Sequence, residues 1–302
     1  MKQKVAIIGL SGQSLMGKVH HFPAPGETIQ MEDLHIEPGG KGYNQAIALA
    51  RLGVDVSILS SVGIDEGASI CRKVLLEHHI KACLVEKKEA KTALATVLTN
   101  DEGENEVCVY LGASVYLNEN DLTMFASEIK DSSYILMQLE QPLSISLKIM
   151  ELAQRYHVPI ILNPAPAIHY NDDLLQGVDI ITPNEHEASI LFGFDICDSD
   201  RVMIDKLKAK GLKRAIVTLG KEGALLLEED VKHIVAPSVP VIDTVGAGDA
   251  FNAGFVYGLL QQYDLYKAIS FATIVASIST TKPHVIDSYP TLEEVIKWAK
   301  VF

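Results

Sequence analysis

Apolar residues fall in short runs separated by longer amphipathic stretches, and that alternation sets the expected architecture. The runs Val5–Ile8, Val56–Ser60, Tyr134–Gln138, Ile160–Leu162, Ile180–Thr182 and Ala215–Thr218 are too short for helices and read as buried strands. Between most of them the pattern is helical, over Tyr43–Leu52, Gly67–His78, Ile145–Tyr156, Glu185–Phe192 and Arg201–Lys210. Short strands alternating with helices predict an α/β fold: a mainly parallel sheet with helices on both faces and functional groups at the carboxyl ends of the strands. Residues 17–36 and 92–111 break the pattern, because they alternate as hairpin strands do. They predict a small β-sheet lid, formed by about 12–36 and 92–111, inside a single domain spanning 1–302. Such a lid can cover a substrate or pair with a second subunit, so a homodimer through the lid is expected. After residue 247 the pattern is helical over 249–260, 264–281 and 291–300, the last opened by the capping-box sequence Thr291-Leu-Glu-Glu.

Composition narrows the function classes. The 302 residues are 48% hydrophobic, enough for a large core. The net charge is −13, with 39 acidic and 26 basic residues and no basic run, which argues against nucleic acid or an anionic membrane as partner. Any phosphate must be held locally. Cys71, Cys83, Cys108 and Cys197 show neither zinc nor disulfide spacing and suit a cytoplasmic location. The first apolar run reads as a strand and not as a signal peptide, and no stretch reaches the roughly 18 apolar residues of a membrane span.

The strongest chemical signal is Asp243-Thr-Val-Gly246-Ala247-Gly248-Asp249, a glycine turn leading into a helix. Amides converging at a helix start bind anions, whereas a carboxylate there would repel one. Asp249 therefore reads as a base for an incoming hydroxyl, with Gly246, Ala247 and Gly248 holding the charge of a transferring phosphoryl group. The competing reading is plain strand-to-helix punctuation. Neither this turn nor Gly9-Leu-Ser-Gly12 fits a dinucleotide fingerprint.

Other strand ends add polar groups, each with a structural alternative. Gly39-Gly40-Lys41-Gly-Tyr-Asn44 opens a helix with Lys41 and Asn44 exposed for a polyhydroxylated substrate, or is a flexible loop; it is not a Walker A motif. Glu140 follows its strand and can accept two hydroxyls, or is a helix-start carboxylate. Asn184 and Glu187 share one helix face and suit a hydrated Mg²⁺, or form an N-cap and capping box. Thr218, Gly220 and Gly223 form a glycine turn able to approach a triphosphate, or a plain hairpin. Asn163-Pro-Ala-Pro-Ala reads as a rigid turn shaping the site wall. The pairs His20-His21 and His78-His79 diverge and are set aside as metal ligands.

Taken in order, Gly39-Gly-Lys-Gly-Tyr-Asn44, Glu140, Asn184-Glu-His-Glu187, Thr218-Leu-Gly220 and Asp243-Thr-Val-Gly-Ala-Gly-Asp249 resemble the ribokinase-like (pfkB) carbohydrate kinase family nearly end to end. Phe22-Pro-Ala-Pro-Gly-Glu-Thr28 and Ile181-Thr-Pro-Asn184 strengthen the likeness. The resemblance implies a three-layer α/β/α fold with a β lid and ATP-dependent phosphorylation of a sugar hydroxymethyl group. By position it makes Asp249 the base and Gly246, Ala247 and Gly248 the anion hole. Gly40, Lys41, Asn44 and Glu140 would bind sugar, and Thr218, Gly220 and Gly223 would line the nucleotide. Asn184 and Glu187 would serve Mg²⁺, Glu187 through water, and Asp243 and Val245 would hold a monovalent cation such as K⁺. Two positions depart from the family. Gly12 and Ser14 stand where members carry an asparagine and an aspartate that grips two sugar hydroxyls, which points to an altered substrate. His284-Val285 stands where Gly-Ala is usual, which bears on the cation. A sugar kinase leads, with a nucleoside kinase or a non-catalytic sugar- or nucleotide-binding regulator of the same fold as alternatives.

Overall fold

The computed structural model describes residues 3–167 and 173–299. Its strands are β1 (Lys4–Ile8), β2 (Gly12–Lys18), β3 (Asp33–Gly39), β4 (Asp55–Val62), β5 (Lys81–Glu86), β6 (Ala93–Thr99), β7 (Asn105–Tyr110), β8 (Tyr134–Met137), β9 (Ile160–Leu162), β10 (Ile180–Ile181), β11 (Ala215–Thr218), β12 (Ala224–Leu227) and β13 (Val231–Ile234). The helices are α1 (Lys41–Arg51), α2 (Glu66–Glu77), α3 (Glu119–Asp131), α4 (Leu143–Tyr156), α5 (Asp173–Gln176), α6 (Glu185–Phe192), α7 (Asp200–Ala209), α8 (Ala247–Leu260), α9 (Leu265–Ser279) and α10 (Leu292–Ala299).

A nine-stranded sheet runs in the order β13-β12-β11-β10-β9-β8-β1-β4-β5 and is antiparallel only where β12 and β13 join its edge. Period-two alternation divides its side chains between two cores. Val5 and Ile7 of β1 enter one core with Tyr43 and Leu49 of α1, Phe255 of α8 and Ala272 of α9. Ala6 and Ile8 enter the other with Phe125 of α3, Ile149 of α4, Ala188 of α6 and Leu207 of α7. Strands buried on both faces explain why the sheet runs are apolar at successive positions and not alternating.

The lid is a second sheet, ordered β3-β2-β6-β7. Its first hairpin starts at Gly12 as expected for the lid but ends at Gly39, and its strands are not those of the alternating stretch 17–36: β2 and β3 pair through Gly12–Lys18 and Asp33–Gly39, and residues 19–32 form the long connection. Pro23 and Pro25 lack the amide hydrogens a ladder needs, and Gly26 turns with φ 86°. The second hairpin matches its expected range. Elsewhere boundaries move by a residue or two: Gln138 and Thr182 lie just past β8 and β10, the helix expected over 264–281 ends at Ser279, and residue 300 of the last expected helix lies outside the described residues.

Parallel strands bring their carboxyl ends to one edge, so Gly9, Gln138, Asn163 and Thr182 emerge there side by side. Helix α1 starts over that edge because two glycines let backbone meet backbone: a Cβ on Gly42 would fall 2.7 Å from the Gly9 Cα. We expect Gly42→Ala to destabilise the chain by about 1–3 kcal/mol through overpacking. Urea denaturation checks this, and an unchanged midpoint would contradict the tight fit.

Candidate active site

Asp249 lies in the first turn of α8 and is 8% exposed. The turn before it requires Gly246, whose φ of 80° is left-handed and whose missing Cβ would strike Val285 Cγ1 at 2.7 Å and the Tyr289 hydroxyl at 2.8 Å. The Ala247 amide donates to the Thr244 carbonyl at 3.2 Å, and the first helical bond runs from the Ala250 amide to Gly246 O at 3.0 Å. The amides of Gly248 and Asp249 precede that bond and supply the free donors of a helix N-terminus.

The carboxylate is held by α1. Asn44 Nδ2 donates to Oδ2 at 3.0 Å and Gln45 Nε2 donates to Oδ1 at 2.9 Å. Burial raises the Asp249 pKa, opposed by the Lys41 charge and by the bonds from Asn44 and Gln45. Lys41 is half-buried at the start of α1, as is Asn44, where the sequence suggested exposed side chains. Burial disfavours the Lys41 charge, but the surrounding carboxylates of Asp249, Glu140 and Glu187 outweigh it and raise its pKa. One ammonium thus serves three acidic groups, from α8, from α6 and from the connection after β8.

Glu140, also buried, accepts the Lys41 backbone amide at 3.2 Å. Its carboxyl is pushed up to about 7 by burial, with the Lys41 charge opposing and the Asp249 charge adding. Close to the start of α1 lies a second group of polar atoms. A Cβ on Gly39 would fall 2.4 Å from Ser14 Oγ and 3.8 Å from Asn44 Oδ1, so both oxygens flank the same backbone, with Gly40 next in line. Asn44 Oδ1 is buried with no protein partner, an acceptor suited to a substrate hydroxyl. Gly12 is confined by packing: a Cβ there would meet Ala93 O at 2.5 Å, so the local pairing of β2 with β6 has no space for asparagine.

Asn184 and Glu187 form the capping box of α6, Asn184 Oδ1 accepting the Glu187 amide at 2.8 Å and Glu187 Oε2 accepting the Asn184 amide at 2.9 Å. The structural alternative is therefore realised. It leaves Glu187 half-buried, with its pKa raised by burial against the Asn184 amide bond and the Lys41 charge. Thr218 bridges to Asn184, and Gly220 and Gly223 follow in a 3-10 turn between β11 and β12. The hairpin alternative is also realised there, yet the turn stands at the same sheet edge.

Asp243 Oδ1 accepts the Val245 amide at 3.0 Å. Facing this turn, the loop after α9 is tied down from within and from the lid: Ser288 Oγ donates to Val285 O at 2.8 Å, and Glu37 of β3 accepts the Val285 and Ile286 amides at 2.9 and 3.2 Å. His284 stacks on His35 of β3 with ring centroids 3.7 Å apart. His20, Glu32 and Asp101 also cluster, but they are exposed at the far end of the lid and Lys18 lies within ion-pair distance of both acids.

Reading the sequence missed Gln45, Gln138, Thr182 and Asn252 and gave Asn163 only a shape. The available signal was a polar residue inside an apolar helix: Gln45 precedes Ala-Ile-Ala-Leu-Ala, and Asn252 sits in Ala-Phe-Asn-Ala. Both are buried.

Residues 2–292 match the profile of the pfkB family of carbohydrate kinases. The chain is 33% identical over 302 residues to a ribokinase of Haemophilus influenzae, covering 99% of each protein. It is 33% identical over 295 residues to a deoxyribokinase of Salmonella typhi, covering 96% of each. The structure of Arabidopsis thaliana ribokinase complexed with ribose and ATP superposes with a TM-score of 0.89 at 24% identity, over 99% of both chains, and shares the fold.

Glu140 couples this site to stability. Its folded pKa of about 7 stands above the ordinary 4.5, so the unfolded chain releases that proton first. Its contribution is most favourable below about 4.5 and falls as pH rises through the window, by up to about 1.4 kcal/mol per pH unit. We expect Glu140→Gln to abolish that part of the slope. Urea denaturation of both proteins across the window checks it, and parallel curves would refute it.

Proposed function

The chain belongs to the pfkB family of carbohydrate kinases, and from that premise we propose how it carries out ATP-dependent phosphorylation of a sugar. The observation that carries the reading is Asp249, a buried carboxylate at a helix N-terminus, aimed by two amides and faced by a lysine. A sugar hydroxymethyl group enters between Asp249 and the α8 amides. Asp249 takes the hydroxyl proton as the oxygen attacks the γ-phosphorus of ATP and the bond to the β–γ bridging oxygen breaks, releasing ADP, while the Gly248 and Asp249 amides receive the charge on the equatorial oxygens. Lys41 adds a positive charge close to Asp249, Glu140 and Glu187. Mg²⁺ on the nucleotide would neutralise phosphate charge, and Glu187 would hold it through water. Thr218, Gly220 and Gly223 would pack along the nucleotide. Asp243 and Val245 offer a carboxylate and a carbonyl to a monovalent cation. Because Ser288 and Glu37 already brace the facing loop, no step is assigned to K⁺.

The acceptor we favour is a pentose or a related small sugar, in keeping with ribokinase and deoxyribokinase relatives. Glu140 and Asn44 Oδ1 would take its hydroxyls, whereas Gly12 and Ser14 offer no carboxylate, so the sugar's far end is bound without a charged clamp. Nucleoside phosphorylation and a non-catalytic role draw less support, the second because the base and its supports are intact. The four cysteines are unpaired, as a reducing cytoplasm would keep them.

We expect turnover with ATP and Mg²⁺ on at least one member of a panel of pentoses, hexoses and nucleosides. Asp249→Asn should lower kcat by about 10²–10⁴, the usual contribution of a positioned base. No turnover on the whole panel, or a variant as active as the parent, would remove the proposal.

For the lid we favour a homodimer. The register puts Leu34 (51% exposed), Ile36 (51%), Leu94 (38%) and Tyr110 (53%) on one sheet face, opposite the face that carries Ser14 and Glu37. Sedimentation equilibrium should find a dimer, and Ile36→Lys should shift it to monomer; a monomeric parent refutes this assembly.

A further inference from the structure

Asp249 is supported from behind by a chain of buried amides. Gln138 Nε2 donates to Gln45 Oε1 at 2.5 Å, and Gln45 Nε2 donates both to Asp249 Oδ1 at 2.9 Å and to Asn163 Oδ1 at 3.1 Å. Asn163 Nδ2 donates to the Thr182 carbonyl at 3.2 Å, the Thr182 hydroxyl donates to Asn252 Oδ1 at 2.6 Å, and Asn252 Nδ2 donates to Gly248 O at 2.9 Å. The chain leaves α8 at Asp249 and returns to it at the preceding residue. On the way it ties together the carboxyl ends of β8, β9 and β10.

Three properties set this apart from ordinary core satisfaction. Every linking side chain is buried, so each bond forms where an unpaired partner is costly. None of the links titrates in the physiological range, so the support does not change its charge with pH. Its direction follows from the carboxylate: Asp249 only accepts when ionised, so Gln45 turns Nε2 toward it and Oε1 toward Gln138 Nε2. A rotated Gln45 would set a carbonyl oxygen against the carboxylate and lose the Gln138 bond.

We infer that Gln45 is a positioning residue for the base, keeping the Asp249 carboxylate ionised and aimed. This rests on the assignment of Asp249 as base under the proposed kinase reaction. The other charged or titratable groups facing Asp249 are Lys41 on α1, Glu140 after β8, Glu187 on α6 and Tyr289 after α9. Lys41 favours the carboxylate, and Glu140 and Glu187 when ionised oppose it. Gln45 is the neutral donor of the set that is itself oriented by a second buried amide.

The decisive measurement is a ¹³C NMR titration of the Asp249 carboxyl in the full chain, its resonance assigned by loss in Asp249→Asn. Gln45→Met keeps length and removes the donor, and the carboxyl midpoint should rise by about one pH unit. The acid limb of kcat should move the same way, while KM for ATP stays within about twofold of the parent. An unmoved midpoint and acid limb overturn the inference even if the melting temperature falls, because a packing defect alone changes stability and not the titration. A raised midpoint supports the inference whether or not a sugar is phosphorylated, so its fate is separable from that of the kinase reading. If Gln45→Met does not fold, Gln138→Met decides: freeing the Gln45 amide should raise the midpoint by a smaller amount, and no rise overturns the inference.

Discussion

Under the proposed reaction, Asp249 must be shielded from water and yet carry a charge, and those two demands conflict. Burial pushes the Asp249 pKa up and so works against the charged form. The structure resolves the conflict with one helix: α1 supplies Lys41, Asn44 and Gln45 in its first turn and a half, two of them bonded to the carboxylate. Everything that puts α1 there therefore bears on the chemistry. The glycine contact at Gly9 and Gly42 seats it on the sheet edge, and the core formed with α8 and α9 fixes the angle from which it meets Asp249.

The same arrangement explains how an acidic protein can receive a polyphosphate. The chain carries a net charge of −13, but the site concentrates helix N-termini and Lys41 around three carboxyls, at least one of which is held near neutral pH by burial. Attraction is local and short-ranged, as expected for a small ligand and unlike the broad basic surface that nucleic acid would need.

The positions that the resemblance marks as unusual, Gly12 and His284 among them, fall where the lid meets the body. Gly12 is wedged against Ala93, and Glu37, three residues before Gly40, anchors the loop that backs the glycine turn. The base of the lid and the glycine turn are thus joined through protein groups, His35 on His284 among them.

Much of this was readable from the chain. Apolar runs of buried strands, helical periodicity and the ordered glycine motifs carried the layer architecture, the presence of a second, smaller sheet and the helix start at which Asp249 stands, because each is a local pattern within a few residues. The strand limits inside the lid's first hairpin differ from the alternating stretch because its prolines act by removing ladder donors, which alternation does not register. Asn184 and Glu187 kept two meanings in sequence, since a capping box and a hydrated-metal site use the same residue types at the same spacing. Gln45, Asn163, Thr182 and Asn252 could not be assembled at all. Their partners lie far away along the chain, up to 204 positions for Gln45 and Asp249, and only strand order brings them together. The sequence by itself determined which chemistry the chain can perform. Tertiary structure decided the charge state and aim of the groups that perform it, because desolvation and hydrogen bonding are properties of neighbours and not of residues.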